Sequence, residues 1–594
     1  MQLNMSKRIS MAAGVLATVL AVSSCGKGGP APYGATPTPA QVKWQMMERN
    51  MFIHFGPNTF SGKEWGDGTE PEDMFNPTDL DCRQWARTAK DAGFKGIIIT
   101  AKHHDGFCLW PNPVSSHTVA QSSWRNGQGD VLKELSEACR EYGLKFGVYI
   151  SPWDRFDPHY GTPEYNDVFV KTLQSALGSY GEVYEQWFDG ANGEGPNGKK
   201  QVYDWPLFHN TVWSLQPDAI MFSDVGPGCR WCGNESGSNG RTSWSTLNVG
   251  DFTPGAGAPP IDTLQCGNVH GDSWVPSETD VSIRPGWFWR ESENTRVKSV
   301  NRLLQIYYES TGRNSLMLLN VPPDTRGHIH EIDSTRLMEF ARAFDEIFSK
   351  DLALGAVAES SSQWGRKFSP SNVLSGNYDE YWASAKGDLT PSITITFPEQ
   401  RTFNRVSLQE YIPLGQRVAA FTIEALSEDG QWKKIGSETT IGYKRIVLTE
   451  TVSSSAIRVS ITKSYAEPVL SRVQVFMDSI YQSEQEQIAR GVTRLLEEPL
   501  TADAGRVEDI TGFVYGPSYK GEGGVIIEYD LEASLDGKNW TKVLSNQQFD
   551  NIVNNPTDRE IELPSPVRAR YLRLIPLRSN YSSTYGVSTF DINE

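Results

Sequence analysis

Positive charge is scarce in this sequence. Lysine and arginine together number 55 against 72 aspartate and glutamate residues, which gives a formal net charge of −17 and a pI near 5.2. An acidic surface repels phosphate backbones and anionic lipid surfaces. The charge therefore argues against nucleic acid as a partner, whereas a neutral ligand meets no such repulsion. At 594 residues the chain is also too long for one core, so three or four domains are expected.

Cysteine is also scarce, with seven residues in the whole chain. Cys229 and Cys232, in Cys-Arg-Trp-Cys, have the spacing of a zinc or redox motif, but no second pair of this kind accompanies them. A metal site built on cysteine is therefore not expected. In an exported chain these two residues are predicted to form a local disulfide or to remain two partly buried thiols.

Long apolar runs are missing, with one exception near the N-terminus. The segment from Met11 to Val22 follows two basic residues and is too short to span a bilayer as a mature helix. It ends in Val22-Ser23-Ser24-Cys25, which resembles a bacterial lipobox in which Cys25 becomes the acylated first residue. An ordinary signal peptide at residues 1–25 is the alternative. Residues 26–40, rich in Gly, Pro, Ala and Thr, are then expected to form a tether.

The residues after Cys25 bear on the side of the membrane that the protein faces. They read Gly-Lys-Gly-Gly, whereas surface display in some Gram-negative groups goes with acidic residues at this place. We therefore expect an exported bacterial lipoprotein that faces the periplasm rather than the cell surface. Its only attachment to the membrane is expected to be the lipid anchor.

Strand-like apolar runs alternate with helical patterns between residues 41 and 350. The helical pattern from Val131 to Tyr142 ends at Gly143 and is followed by a buried strand from Leu144 to Ser151. Repeated helix–strand units with continuous apolar strands indicate a parallel sheet. The number of such units favours an α/β fold of the (β/α)8-type barrel class. Residues 225–295, where Gly, Ser, Pro, Asn and Asp prevail, are expected to make the barrel irregular.

Short strands separated by turn residues follow position 351, which is typical of all-β sandwich modules. An internal repeat indicates two of them, because the segment from Ile423 to Ile435 returns as Leu531 to Val543. Each copy resembles the discoidin or coagulation-factor 5/8 type C sandwich, which is galactose-binding-like. We therefore predict a barrel domain at 41–350 and two β-sandwich modules, at 351–478 and 479–594.

Polar and aromatic side chains stand where the predicted barrel strands end, and in this fold function collects at those ends. These residues are His54, His103, His104, Tyr149, Trp187, Asp189, Arg230 and Glu235, the last two in a loop after the fifth strand. The three histidines suggest zinc, but adjacent side chains such as His103 and His104 diverge on a strand end. A pocket in which neutral histidines bond the hydroxyls of a polyol explains the same residues without a metal.

Two carboxylates from different barrel strands are what hydrolysis of a glycosidic bond needs, one as nucleophile or base and one as proton donor. Asp189 and Glu235 meet that description. Taken alone, Asp189 could equally cap a following helix, and Glu235 could be a solvated loop residue. Their positions in the sequence leave both interpretations open.

Six motifs in a fixed order resemble the family 29 glycoside hydrolases, the α-L-fucosidases. They are MFIHFGPNTF (51–60), EWG (64–66), AKHHDGFCLW (101–110), GVYISPW (147–153), WFDGANGEG (187–195) and CGNESG (232–237). The form HFGPNTF is similar to the branch of that family that acts on α-1,3- and α-1,4-linked fucose.

The resemblance implies roles for individual residues. Asp189 would be the catalytic nucleophile and Glu235 the acid/base, with Glu291 as the fallback because the family varies most at that position. An acid/base needs a raised pKa, and we expect Trp231 to close the site and supply it. The pocket residues implied for fucose are His54, Glu64, Trp65, His103, His104, Tyr149, Trp187, Arg230 and Trp287.

The expected function is therefore that of a retaining exo-α-L-fucosidase acting on fucosylated oligosaccharides or glycoconjugates through a fucosyl-enzyme intermediate. The resemblance implies no metal and no other cofactor. Two alternatives stay open on the sequence alone: a zinc-dependent hydrolase built on the three histidines, and a non-catalytic carbohydrate-binding protein that uses the sandwich modules.

Overall fold

The computed structural model describes most of the chain. The described residues are 28–250, 252–255, 257, 259–481, 492–517, 524–549, 552, 558–579 and 583–593. The predicted lipidation residue Cys25 and the signal segment before it lie outside this range. Within it, no helix combines the length and the apolar character needed to cross a membrane.

Eight parallel strands close into a barrel in the first part of the chain. They are β1 Arg49–Ile53, β2 Gly96–Lys102, β3 Lys145–Ile150, β4 Glu185–Trp187, β5 Ile220–Ser223, β6 Cys229–Trp231, β9 Ser277–Ser282 and β10 Ser315–Asn320. Their order around the barrel is β1-β10-β9-β6-β5-β4-β3-β2. A small antiparallel hairpin, β7 Thr246–Leu247 and β8 Ser273–Trp274, interrupts the series. The predicted (β/α)8-type barrel is confirmed.

Helices accompany the barrel strands along the chain. They are α1 Pro39–Gln45, α2 Pro57–Ser61, α3 Cys82–Asp91, α4 Val131–Tyr142, α5 Glu164–Leu177, α6 Trp205–Leu215, α7 Ile261–Cys266, α8 Val300–Glu309 and α9 Glu331–Phe348. Local sequence sets the ends of α4: the Asp130 side chain accepts from the Lys133 N–H at 3.0 Å, and Gly143 ends the helix with a φ of 67°. This helix has the bounds that the sequence predicts.

The barrel departs from regular alternation between β5 and β6. Only residues 224–228 join the two strands, which is too short for a helix. The strands nevertheless pair in parallel, with Phe222 opposite Cys229 and Ser223 opposite Arg230. Because β6 begins level with the end of β5, a short connection suffices. The prediction that Arg230 lies in a loop after the fifth strand was therefore wrong, since Cys229–Trp231 is itself a barrel strand.

Strand β9 also could not be predicted from the sequence pattern. Its six residues read SETDVS, yet all of them are buried. A strand with a single apolar residue is not recognisable from hydrophobic periodicity. Most of its polar side chains are tolerated in the interior because they find hydrogen-bond partners on neighbouring strands and loops: Glu278, Thr279, Asp280 and Ser282 each make at least one such bond.

Two antiparallel β-sandwich modules follow the barrel. The first contains β11 Val357–Ser360, β12 Trp382–Ala383, β13 Ser392–Glu410, β14 Val418–Leu426, β15 Trp432–Glu438, β16 Arg445–Ser464 and β17 Val469–Phe476. The second contains β18 Val492–Leu495, β19 Leu500–Gly516, β20 Ile526–Ser534, β21 Thr541–Gln548, β22 Arg559–Ser579, β23 Thr584–Val587 and β24 Thr589–Asn593. The sheet orders are β12-β17-β13-β16-β14-β15 and β21-β20-β22-β19-β24.

The internal repeat occupies the same place in both modules. In the first module Arg458 on β16 lies 4.5 Å from the ring of Trp432 and pairs with Glu424 at 2.7 Å. The second module repeats these contacts: Arg573 on β22 lies 4.1 Å from the ring of Trp540 and pairs with Glu532. The shared contacts identify the two sandwiches as copies of one module.

The first sandwich is fixed to the bottom of the barrel. Glu48, the residue before β1, forms an ion pair with Lys444 and accepts from the Tyr443 hydroxyl at 3.1 Å. The Tyr443 N–H donates to the Asn314 side chain, just before β10, at 2.7 Å. The module therefore braces the end of the barrel where strands begin, opposite the end where the predicted site residues stand.

The described part of the predicted tether packs against this sandwich. The Tyr33 N–H donates to the Leu414 carbonyl at 3.0 Å, and Arg417 donates to the Ala31 carbonyl at 2.5 Å. The Trp364 indole donates to the Gly28 carbonyl. Residues 28–33 are therefore not a free linker, because backbone groups at positions 28, 31 and 33 are hydrogen-bonded to the module.

The two cysteines of the Cys-Arg-Trp-Cys segment carry free thiols. Cys229 and Cys232 are both buried. Burial raises the pKa of the Cys232 thiol to about 12, so it is protonated at neutral pH. Of the two predicted states, the structure shows the buried thiols and not the disulfide.

Candidate active site

The three predicted histidines meet at the end of the barrel where strands finish. His54 follows β1, and His103 and His104 follow β2. The ring centroids of His103 and His104 are 4.2 Å apart, and those of His54 and His103 are 6.0 Å apart. Tyr149, on the adjacent β3, stacks on His103 at 5.7 Å. Closure of the barrel thus brings these residues into one pocket.

The histidine rings are neutral at physiological pH. Burial lowers the pKa of His54 to about 3 and that of His104 to about 4, and it lowers the pKa of His103 well below the ordinary value. Asn320 faces the His54 ring at 2.9 Å, and Ser151 faces the His104 ring at 2.8 Å. The buried Nδ1 of His103 has no partner among the described residues. A hydroxyl group of a ligand would satisfy it.

These histidines do not form a metal-binding group. Among the described residues, three or more ligand atoms lie within 4.8 Å of one another in two other places: Glu185 with Cys229 and Glu278, and Asp324 with His330 and Glu331. The His104 ring instead bonds Ser151 and has its Nε2 3.7 Å from an Asp189 oxygen. The arrangement does not favour the zinc hydrolase.

Asp189 is held in place just beyond β4. Its Oδ2 accepts from the Tyr149 hydroxyl at 2.9 Å, and its Oδ1 accepts from the Ala191 N–H at 2.7 Å. No helix begins in the described loop that follows, so a helix cap does not explain this residue. Its side chain is 25% exposed, so the carboxylate is both fixed and reachable by a ligand.

Trp187 forms an aromatic surface beside this carboxylate. Its ring stacks on Phe222 with centroids 3.8 Å apart and planes at 6°, and it stacks on Tyr149 at 5.3 Å. The indole N–H donates to Glu278 Oε2 at 2.9 Å. The ring is therefore held by stacking on Phe222 and Tyr149 and by a hydrogen bond at its polar edge, and it forms part of the aromatic wall beside Asp189.

Glu235 stands at the solvent-exposed rim of the same pocket. Partial desolvation raises its pKa above the ordinary value, and the charges of Asp189 and Glu64 add to this shift. The hydrogen bond from the Trp287 indole, at 3.1 Å, opposes it. The expected partner Trp231 donates instead to Asp280 at 2.9 Å. Trp287, rather than Trp231, is thus the tryptophan that contacts Glu235.

The remaining predicted residues lie around the pocket mouth. Glu64 accepts from the Trp287 N–H at 3.0 Å and pairs with Arg290, so it fixes the segment that carries Trp287. Trp65 is 56% exposed and lies edge-on to His104 at 5.5 Å. Glu291, the fallback acid/base, is exposed on a 3-10 turn at Glu291–Glu293.

Arg230 is hydrogen-bonded to the protein backbone. It is fully buried, and its guanidinium donates to the carbonyls of Leu264 at 2.8 Å, Trp244 at 3.0 Å and Val275. These carbonyls belong to the segment between β6 and β9. In the structure Arg230 therefore ties that segment together, and a contact with sugar stays a prediction.

Two carboxyl groups near the site were missed from the sequence. Burial raises the pKa of Asp224 to about 6, and the charge of Asp189 adds to the shift. Burial and the neighbouring Glu235 raise the pKa of Asp280 well above the ordinary value. Asp224 directly follows β5 and could have been predicted from its position at a strand end. Asp280 could not, because it lies in the polar strand β9, which has no hydrophobic periodicity.

Comparison with known protein families agrees with this arrangement. The family described as Alpha-L-fucosidase matches residues 33–345, and the F5/8 type C domain matches residues 357–475 and 489–589. The Arabidopsis thaliana protein Alpha-L-fucosidase 1 is 42% identical over 482 residues, which cover 80% of this chain and 94% of that protein.

Solved structures give the same result. A glycoside hydrolase 29 family member from an unknown rumen bacterium superposes with a TM-score of 0.68 at 38% identity and covers 95% of this chain and 100% of its own. A Ruminococcus gnavus GH29 fucosidase in complex with fucose gives a TM-score of 0.70 at 31% identity, covering 76% of this chain and 97% of its own.

Proposed function

Because this chain belongs to the alpha-L-fucosidase family of glycoside hydrolases, we propose that it releases terminal α-1,3- and α-1,4-linked L-fucose with retention of configuration. The observation that carries this proposal is the pair of carboxyl groups in one pocket. Asp189 is fixed as an acceptor by Tyr149 and Ala191, while Glu235 has a raised pKa to which the Asp189 charge contributes. A retaining glycosidase needs one carboxylate and one carboxylic acid in this way.

In the first step, an Asp189 oxygen attacks C1 of the fucose, and the bond from C1 to the glycosidic oxygen breaks. Glu235 gives its proton to that oxygen, so the leaving glycan departs as a neutral alcohol. In the second step, Glu235 removes a proton from water, the water oxygen bonds C1, and the ester to Asp189 breaks. Two inversions at C1 give net retention.

The rest of the pocket suits a 6-deoxy sugar, which has an apolar methyl group and several hydroxyls. The neutral rings of His54, His103 and His104 can each donate and accept hydrogen bonds with hydroxyls. Trp287 lies beside His54, with ring centroids 4.9 Å apart, and the buried Trp187, stacked on Phe222, adds a second aromatic wall. A few placed polar groups among aromatic walls are typical of sugar sites.

The preference for α-1,3 and α-1,4 linkages rests on the resemblance of the segment HFGPNTF, residues 54–60, to that branch. We expect Lewis-type glycans to be cleaved with a kcat/KM about tenfold or more above that for α-1,2-fucosylated glycans, which corresponds to ~1.4 kcal/mol in the transition state. The test is hydrolysis of both glycan classes, with the anomers of released fucose followed by NMR. First release of the α anomer supports retention. Equal rates on both classes would contradict the linkage preference, and first release of the β anomer would contradict the mechanism.

We also propose that the mature chain is a lipoprotein acylated at Cys25 and that it faces the periplasm, where it trims imported oligosaccharides. The described structure begins at Gly28, whose carbonyl accepts a hydrogen bond from the Trp364 indole of the first sandwich. A lipid anchor at Cys25 would therefore be attached to the protein close to that module. One acyl chain gives marginal attachment, but two or three bind stably because each buried CH₂ contributes about 0.8 kcal/mol.

For this anchor we expect Cys25→Ala to move the enzyme from the membrane fraction to the soluble fraction without loss of activity, since Cys25 lies before the catalytic domain. Fractionation and activity assays check it. An unchanged membrane fraction would discard the anchor. If protease treatment of intact cells removes the wild-type enzyme, the anchor proposal stands but the periplasmic orientation is contradicted, because the protein then faces the outside of the cell.

A further inference from the structure

Two buried glutamates lie inside the barrel below the pocket. Glu185 is on β4 and Glu278 is on β9, two strands that are separated around the barrel by β5 and β6. Neither side chain is exposed, and Cys229 on β6 lies beside them, with ligand atoms of all three residues within 4.8 Å of one another. The proposed reaction uses none of these groups.

Each glutamate uses one oxygen to hold a tryptophan. Glu185 Oε2 accepts from the Trp44 indole at 2.8 Å, and Glu278 Oε2 accepts from the Trp187 indole at 2.9 Å. The second Glu185 oxygen, Oε1, accepts a hydrogen bond from the Cys229 thiol at 3.8 Å. The second Glu278 oxygen is buried and receives no hydrogen bond from a donor among the described residues. Glu278 Oε1 thus lacks a donor among these residues, and the donor to Glu185 Oε1 is the weak S–H group of Cys229.

The two carboxyl groups lie close together, since one oxygen of each and the Cys229 sulfur are all within 4.8 Å of one another. Ionised carboxylates only accept hydrogen bonds, so a hydrogen bond between the two requires a proton on one of them. A proton placed there satisfies the Glu278 oxygen that otherwise has no donor. The geometry of the pair therefore calls for one shared proton.

The surroundings do not offset two negative charges. The adjacent cation, Arg230, donates its guanidinium to backbone carbonyls at 244, 264 and 275, and Asp280 adds a further acid on the same strand. Two like charges buried side by side cannot both ionise at neutral pH. Burial accordingly raises the pKa of Glu185 to about 7 and that of Glu278 well above its ordinary value.

We propose that Glu185 and Glu278 share one proton and that, through this pair, Glu278 is a positioning residue for Trp187. This rests on the proposed function, in which Trp187 is part of the aromatic wall of the sugar pocket. Trp187 in turn stacks on Tyr149, whose hydroxyl holds Asp189. Through its two hydrogen bonds to tryptophans, the pair thus links the Trp44 indole to Trp187, which lies beside the nucleophile.

The test compares two substitutions of similar size in the full-length enzyme. Glu278→Gln keeps an oxygen that accepts from Trp187 and supplies an N–H for Glu185, so it reproduces the protonated state. Glu278→Met removes both interactions. We expect kcat/KM on an aryl α-L-fucoside to stay near the wild-type value for Glu278→Gln and to fall about tenfold or more for Glu278→Met, chiefly through KM.

A further variant shows whether the effect passes through the indole. Trp187→Phe keeps an aromatic ring but removes the N–H that Glu278 accepts. If Glu278 acts by positioning Trp187, the two changes remove the same interaction. Glu278→Met should then lower kcat/KM much less in the Trp187→Phe background than in the wild-type background. Fully additive losses would overturn the positioning role, as would a wild-type KM in Glu278→Met.

Infrared spectroscopy tests the shared proton directly. Because other buried acids such as Asp280 also have a raised pKa, the measurement is the difference spectrum at neutral pH between the wild type and Glu185→Gln combined with Glu278→Gln, which should contain a carboxylic-acid C=O band of the wild type. Absence of that difference band would overturn the proposal, and so would one bound metal ion per chain in elemental analysis, since a cation would replace the proton. Wild-type turnover of the aryl fucoside reports separately on the proposed function.

Discussion

Replacing Asp189 by alanine is expected to lower turnover by roughly 10⁴-fold or more, because the covalent intermediate can no longer form. The fold and the binding of fucose should remain. The residue lies in a loop after β4, and its side-chain partners are the Tyr149 hydroxyl and the Ala191 N–H rather than the barrel core. Initial rates on an aryl α-L-fucoside, together with fucose binding by calorimetry, check this result.

Asp189→Asn is the matched control for this prediction. The amide keeps an oxygen that can accept from Tyr149 or Ala191 and has almost the same size, but it is a poor nucleophile. We expect it to be as inactive as Asp189→Ala and to have a thermal stability closer to that of the wild type. Substantial activity of purified Asp189→Ala on the activated substrate would remove Asp189 from the nucleophile role.

Glu235→Ala should separate substrates by their leaving groups. On natural glycans, whose departing oxygen needs a proton, we expect a loss of about 10²- to 10⁴-fold. On substrates with acidic leaving groups the loss should be far smaller. Azide should restore turnover by attacking C1 of the intermediate in place of water. The product should be the fucosyl azide with the anomeric configuration of the substrate, as two successive inversions require.

Glu291→Ala is the control, because Glu291 is exposed on a turn and was the alternative acid/base on sequence grounds. We expect it to resemble the wild type in rates, leaving-group dependence and response to azide. If Glu291→Ala shows the pattern described above and Glu235→Ala does not, the acid/base role moves to Glu291.

The pH dependence should follow from the same residue. A proton donor works only while it is protonated, and the pKa of Glu235 is raised by partial desolvation and by the charges of Asp189 and Glu64. Activity on natural glycans should therefore persist above the pKa of an ordinary glutamate and fall as the pH rises through that of Glu235. In Glu235→Ala this alkaline decline should disappear. The neutral histidines should add no transition near pH 6.5, because burial lowers their pKa values.

The local sequence determines much of this protein. The apolar run of β2, GIIITAK, identifies a buried strand, and the Asp130 cap and the left-handed Gly143 define α4 between Val131 and Tyr142. Side chains that directly follow such strands could be predicted to share one pocket, because the carboxyl ends of parallel strands meet at one end of a barrel. His54, His103 and Asp189 were found in this way.

Only the tertiary structure determined the contacts and roles of the polar residues inside the barrel. Nothing in the letters SETDVS of β9 predicts a buried barrel strand, since hydrophobic periodicity is absent there. Glu278 becomes tolerable only when closure of the barrel places the Trp187 indole and Glu185 beside it. Likewise, Arg230 follows the strand-end pattern, yet its guanidinium turns to carbonyls more than ten positions away. A polar side chain is stable in the interior only with partners, and those partners come from distant parts of the chain.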